Sequence, residues 1–397
     1  MSFIHQHIQS AKKIIEQYQG DMPLSAYLKN YFSANKKFGS KDRKQISNLC
    51  FSYYRLGNGI TDISFEEHIK AALFLCNDEI RNEWNDLFSE AWKTNWVKSL
   101  HGRLNFIETQ FQNFSTDNIF PFIDELSNDI EAKNFAQSHL IQPDLFLRIR
   151  PGKEKQVINK LTEANISLQQ TANNCIALAN TTKVDELIII DEEAVVQDYS
   201  SQRVQELLSS VIFHQSFKVW DCCAASGGKS ILAKDILGNI DLTVSDVRPS
   251  ILQNLQRRFA KAGIKKYNSF IADISNSTFE IRNSKFDLII CDAPCSGSGT
   301  WGRTPEQLLC FKKEKISYYA NLQKQIVSNA IKLLQENGYF LYITCSVFKQ
   351  ENEAVVEFIQ EEFHLELVKM ELLKGYDKKA DTMFAALFRK TSIPLSE

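Results

Sequence analysis

Between residues 217 and 389 the chain alternates short apolar strands with amphipathic helices, and that alternation limits its fold more than any other feature. The spacing predicts strands over 217–222, 242–246, 268–273, 286–292, 339–345 and 383–389. Helices are predicted between them, over 228–237, 249–262, 313–335 and 351–361. Successive strands joined through helices run parallel. The expected fold is therefore α/β, a doubly wound and mostly parallel sheet whose ligand crevice lies outside the carboxyl ends of its strands.

Upstream the period changes. Apolar residues recur at three- and four-residue spacing over 4–18, 23–32 and 43–56, and 85–96 is rich in helix formers. Residues 145–150 then alternate as a strand, Pro151-Gly152 break the pattern, 153–164 read as an amphipathic helix and 176–179 as a second apolar run. This β-α-β order resembles a small ferredoxin-like insert. The predicted division is a helical accessory domain over 1–135, a small α+β subdomain over 140–200, and an α/β domain over 201–397.

The formal charge of −2, from 46 basic and 48 acidic residues, argues by itself against a nucleic-acid partner. It is a cancellation: residues 1–60 carry +6 and residues 61–135 carry −8. The basic cluster Lys36, Lys37, Lys41, Arg43 and Lys44 is flanked by Tyr31, Phe32, Phe38, Phe51, Tyr53 and Tyr54. Such a surface suits a phosphate backbone with stacked bases; equally, the aromatics can form a buried helix face and the lysines a solvated one. No apolar run approaches bilayer length, and the N-terminus lacks the basic and apolar regions of a secretory signal, so a cytoplasmic protein with no membrane partner is expected. Nine cysteines in such a chain read as reduced thiols rather than a disulfide framework. With no C-x-x-C pair and scattered histidines, no metal site is expected.

The chemistry gathers at the strand ends. The first α/β strand runs into Asp221-Cys222-Cys223-Ala224-Ala225-Ser226-Gly227-Gly228-Lys229-Ser230. Small residues and paired glycines let the backbone approach a ligand closely while the next helix presents its N-terminus. The spacing is neither that of a P-loop nor G-x-G-x-x-G. The next three strands end in Asp246, Asp273 and Asp292. Helix capping accounts for one or two such aspartates, but four in one crevice crowd negative charge and point to a ligand, with Asp246 suited to ribose hydroxyls.

Two thiols share this edge, in Asp292-Ala293-Pro294-Cys295-Ser296 and in Thr344-Cys345-Ser346, the latter followed by Glu351-Asn352-Glu353. Either alone is more often a small buried hydrophobe than a nucleophile. A thiol beside a nucleoside-type ligand suits addition to carbon 6 of a pyrimidine, which makes carbon 5 nucleophilic toward a methyl sulfonium. The scheme needs a nucleophilic Cys, a partner for ring N3, for which Asp292 is placed, and a base, for which Cys295 or a water is available.

In this order, residues 222–230, 292–300 and 344–356 closely resemble the NOL/NOP/Sun (RsmB-type) family of RNA cytosine-C5 methyltransferases. The resemblance covers about 143–390, including Gln197-Asp198-Tyr199-Ser200-Ser201-Gln202 and the closing 381–387. It implies a class I S-adenosylmethionine-dependent methyltransferase fold, Rossmann-like with seven strands. It implies S-adenosyl-L-methionine held by Cys223, Ala224, Ala225, Ser226, Gly227, Gly228 and Lys229, with Asp246 at the ribose, Asp273 near the adenine and Asp292 near the reacting end. It also implies Cys345 as nucleophile, Cys295 as the thiol that helps release product, and Lys229 beside the catalytic carboxylate. Spacing alone does not choose between the thiols, and DNA enzymes of similar chemistry use the Pro-Cys one. The chain departs from the pattern at Ser226, where proline is usual, and at Trp301-Gly302-Arg303, with one arginine where a pair is common. The implied substrate is a cytosine of ribosomal RNA, of the small (16S) subunit, modified by a monomer without metal. The same chemistry on transfer RNA, and a non-catalytic RNA-binding assembly factor, are the alternatives; an exocyclic-amine methyltransferase is disfavoured by the Asp-Ala-Pro-Cys turn.

Overall fold

Apolar side chains at helical spacing make the first third of the chain helical in the computed structural model, which describes residues 3–172, 174–212, 216–276 and 285–391. Its longer helices are Phe3–Gln17, Leu24–Ala34, Ser40–Leu56, Phe65–Cys76 and Leu100–Gln110. The fourth starts at a capping box, with Ser64 and Glu67 each satisfying the other's backbone N–H. Ile46, Leu49, Ile69, Leu73, Phe74, Trp84 and Ile107 are buried in this unit.

The chain divides into two compact units. The helical unit consists of the chain up to Leu126 with Ile130–Gln142 and Thr300–Lys312; the second unit consists of Ser127–Asp129, Pro143–Gly299 and the chain from Lys313 onward. Thr300–Lys312 joins the helices for a physical reason. Trp301 packs against Phe120, Phe122 and Phe311, and Glu306 accepts the Leu24 N–H at 2.9 Å. The segment Trp301-Gly302-Arg303 thus has a packing role in the helical unit. Arg55, one of the basic residues of segment 1–60, is buried and donates to the carbonyls of His139 and Ile141 and to Gln142 Oε1.

The second unit holds two sheets. The smaller comprises β1 (Leu145–Ile149), β2 (Leu168–Ala172), β3 (Cys175–Leu178) and β4 (Ala194–Val196), in the order β2-β3-β1-β4 with every neighbour antiparallel. This is the ferredoxin-like order, with helix Glu154–Glu163 as one crossover and a single 3-10 turn, Val184–Glu186, where a second helix would stand.

The larger sheet comprises β5 (Lys218–Asp221), β6 (Asp241–Asp246), β7 (Asn268–Ile271), β8 (Phe286–Asp292), β9 (Leu334–Thr344), β10 (Glu366–Leu373) and β11 (Met383–Arg389). Its order is β10-β11-β9-β8-β5-β6-β7, parallel from β9 to β7, with β11 antiparallel to both neighbours. Central strands buried on both faces explain their continuous apolar runs. Val219, Leu242 and Ile290 point into one core with Leu255 and Phe259; Trp220, Ile289 and Phe340 point into the other with Val327 and Val356.

Ion pairs join the two sheets. Arg148 of β1 and Arg150 just after it reach Asp235 of helix Gly228–Leu237 at 2.6 and 2.7 Å, Arg150 also donates to the Ala262 carbonyl at 2.7 Å, and Arg258 of helix Pro249–Lys261 reaches Asp191 at 2.7 Å.

Candidate active site

β5 lies between β6 and β8, so the chain leaves β5 toward one edge and returns on the other side at β8. Such a reversal opens a crevice at the carboxyl ends of β5 and β8. The backbone turns sharply after β5 because Ala225 (φ 45°) and Gly227 (φ 85°) take left-handed conformations. A Cβ on Gly227 would stand 2.7 Å from the Phe259 ring, so only glycine fits. The Ser226 hydroxyl and carbonyl accept from Arg258 at 3.0 and 3.1 Å. A guanidinium thereby steadies the turn at the position where the family pattern has proline.

The four aspartates differ in environment. Asp221 is fully buried, accepts from Ser230 Oγ at 2.6 Å and has a partnerless second oxygen; burial pushes its pKa up to about 7. Asp246 ends β6 and accepts from the N–H groups of Ala225 (3.0 Å) and Arg248 (2.9 Å) and from the Arg248 guanidinium (3.0 and 3.2 Å). Burial opposes its charge, but the hydrogen bonds from Arg248 prevail and hold the carboxylate below its ordinary range. Those four donors fill the carboxylate's lone pairs, two of them from a guanidinium that is 57% exposed. Asp273 lies past the end of β7, exposed, and accepts from the N–H and hydroxyl of Ser275 at 3.0 and 2.6 Å. Asp292 ends β8, with Lys229 Nζ 3.2 Å from its Oδ2; the same ammonium donates to Ser201 Oγ at 2.7 Å.

Cys295 and Cys345 come together, Sγ to Sγ, at 3.2 Å. Glu351-Asn352-Glu353 explains why. The buried Glu351 carboxylate accepts from Ser296 N (2.9 Å), Gln323 Nε2 (2.9 Å) and Ser346 Oγ (2.7 Å), so one side chain binds the residues that follow both thiols. Burial pushes its pKa up. Asn352 accepts from Thr344 Oγ1 at 2.6 Å and donates to the Ser346 carbonyl and Ser127 Oγ, both at 3.0 Å; Glu353 accepts from Ser127 Oγ at 2.9 Å. Gly299 donates to the Cys345 carbonyl at 2.9 Å and accepts from the Thr382 N–H at 2.9 Å. The hydrogen bond to Cys345, then burial, raises the Cys295 thiol well above its ordinary value, so Cys295 keeps its proton.

Sequence spacing missed a group of three thiols. Cys222, Cys223 and Cys291 have sulfurs within 4.8 Å of one another, although 68 residues separate Cys223 from Cys291 in the chain. Parallel pairing of β5 with β8 brings them together, a grouping that local spacing does not encode. In the helical unit, Lys29, Phe32, Arg43, Lys44 and Phe51 line an open groove of about 320 Å³, with Phe32 buried and the basic side chains exposed. Among the described residues no helix is long and apolar enough to cross a membrane.

Residues 211–391 match the family model described as 16S rRNA methyltransferase RsmB/F. Ribosomal RNA small subunit methyltransferase B of Xanthomonas campestris is 27% identical over 237 residues, covering 57% of this chain and 52% of that protein. The 26S rRNA (cytosine-C(5))-methyltransferase nsun-1 of Caenorhabditis elegans is 31% identical over 166 residues, covering 40% and 25%. The chain spans about half or less of the length of the curated relatives it matches. Among solved structures, PH0851 superposes with a TM-score of 0.69 at 18% identity over 98% of this chain and 100% of that one. A methyltransferase homologue from Pyrococcus horikoshii gives 0.56 at 18% identity over 68% and 93%. The fold is shared with PH0851 and with the methyltransferase homologue, and residues 211–391 are similar to the RsmB/F methyltransferase family.

Proposed function

We propose that the chain is an S-adenosylmethionine-dependent RNA (cytosine-C5)-methyltransferase that modifies a cytosine of small-subunit (16S) ribosomal RNA through a covalent adduct between Cys345 and carbon 6. The observation that carries this reading is the thiol pair at 3.2 Å, set at the same strand edge as the Lys229–Asp292 pair.

The residues present suit the cofactor. Asp246 stands at the end of β6 with donors already drawn to it, as a ribose diol requires, and a Cβ at Gly228 would meet nothing within 4 Å. Asp246 would hold the ribose once Arg248 swings away, and Cys223–Lys229 would line the nucleoside. When bound, S-adenosylmethionine supplies an electrophilic methyl group.

In this reading Cys345 is the nucleophile, the role the family resemblance implies, and Cys295 stands beside it, sulfur to sulfur, at 3.2 Å. As the Cys345 sulfur bonds to carbon 6, the ring's electron pair shifts toward carbon 5 and N3. Asp292 hydrogen-bonds the N3/N4 edge, and Lys229 beside it supplies the proton that neutralises N3. After carbon 5 is methylated, a water acting as base removes its hydrogen, the ring regains its double bond, N3 returns its proton to Lys229, and the Cys345 sulfur leaves with the protonated Cys295 beside it to give that sulfur a proton.

RNA carrying 5-azacytosine at the target is expected to form a covalent adduct with the wild-type protein and cofactor. Cys345→Ala abolishes the adduct, whereas Cys295→Ala lets native RNA accumulate on the protein. The reverse pattern would exchange the two roles. Absence of any adduct favours a non-catalytic RNA-binding factor, and bisulfite sequencing with and without the gene separates ribosomal from transfer RNA targets.

A further inference from the structure

Cys222 and Cys291 have no part in the chemistry above and Cys223 enters it only as lining of the cofactor loop, yet the three thiols lie together. Cys222 and Cys223 are the first two residues after β5, and Cys291 is the last but one of β8. Cys222 N donates to the Ile290 carbonyl at 2.9 Å, and the Cys222 carbonyl accepts from Ser245 Oγ at 3.0 Å, which fixes this backbone in two directions. Cys222 and Cys291 are buried, whereas Cys223 is only partly so.

We propose that these three thiols bind one thiophilic divalent d10 cation, of the Zn2+ or Cd2+ type, in a three-sulfur site with its fourth position open on the Cys223 side. Zinc–sulfur bonds of about 2.3 Å place sulfurs about 3.8 Å apart in a tetrahedral site. The three sulfurs lie within 4.8 Å of one another, so small side-chain rotations close the site. A divalent ion suits the charge as well. Binding releases three thiol protons, and the divalent charge reduces three thiolates to a net −1 centre. The proposal does not depend on the methyl-transfer reading. It does predict that occupancy stiffens the turn leaving β5.

The competing ligand set is the Cys295–Cys345 pair, and the test must separate the two. The reduced full chain is titrated with Cd2+, following sulfur-to-cadmium charge-transfer absorption and proton release. The variants are Cys345→Ser, Cys291→Ser and the partly exposed Cys223→Ser, each checked by circular dichroism and melting. Wild type and Cys345→Ser are expected to take up one tight equivalent. Cys291→Ser and Cys223→Ser are each expected to weaken it by at least about 100-fold. Loss of the equivalent in Cys345→Ser with retention in both other variants would put the ion on the catalytic pair and overturn the proposal. So would the absence of any tight equivalent in Cys345→Ser, or unchanged affinity in Cys223→Ser and Cys291→Ser together.

Discussion

Gly299→Ala tests whether the Cys345 turn is held by backbone packing. A Cβ at this position falls well inside van der Waals contact of the Thr382 carbonyl oxygen and 3.1 Å from the Cys345 carbonyl oxygen. Both neighbours are main chain and cannot rotate away, so the strand ends carrying Cys345 and Thr382 must separate by about 1 Å. Overpacking of this kind costs about 1–3 kcal/mol. The same movement stretches two buried hydrogen bonds, Gly299 N to the Cys345 carbonyl and Thr382 N to the Gly299 carbonyl, each about 1 kcal/mol net. The expected loss is about 3–5 kcal/mol, or roughly 10 °C in melting temperature for a unit of this size. Gly228→Ala is the control: its Cβ meets nothing within 4 Å and it opens a helix, so a change within about 1 kcal/mol is expected. Urea denaturation of the two variants without ligand gives the comparison. If Gly299→Ala is as stable as Gly228→Ala, the packing argument is wrong.

Arg248→Met should free the Asp246 lone pairs and tighten S-adenosylmethionine binding by up to about fivefold, since an exposed ion pair is worth at most about 1 kcal/mol; calorimetry showing weaker binding would mean that Arg248 itself holds the ligand. Asp221 has a folded pKa of about 7, above the 3.8 of the unfolded chain, so folding favours its protonated form and its contribution to stability is lost as pH rises between those values. Asp221→Asn should therefore gain about 2–3 kcal/mol on wild type between pH 5 and pH 8 in paired urea titrations, and a pH-independent difference would refute the burial argument. Reversing Lys36, Lys37, Lys41, Arg43 and Lys44 should weaken RNA binding and reduce the slope of log K against log salt by about 0.7 for each single-strand phosphate that the protein no longer neutralises. An unchanged slope would leave that cluster as a solvated face.

Legibility follows burial. The strands buried on both faces, β5, β6, β8 and the later part of β9, are written as apolar runs, and the aspartates at their ends follow from them. β2 (Leu168–Ala172) and β10 (Glu366–Leu373) are not legible because they are half-exposed edge strands, Leu-Gln-Gln-Thr-Ala and a charged alternation. Among the site residues, those in local motifs are readable. Asp273 reads as a strand end, although β7 stops at Ile271 and the carboxylate is engaged by Ser275. The three-thiol group exists only through strand pairing, and the place of Trp301 only through an aromatic cluster, so no local spacing encodes either.

Arg258 holds Asp191 beside the small sheet with one part of its guanidinium and Ser226 of the nucleoside turn with another, while Arg148 and Arg150 grip the helix that begins in that turn. A displacement of the small sheet that carries these side chains with it would reach the loop. A molecule docked on that sheet and a ligand in the crevice then share one free energy. Whatever factor the first applies to the affinity of the second, the second must return to the first. Order of binding thus becomes a matter of concentration rather than of mechanism.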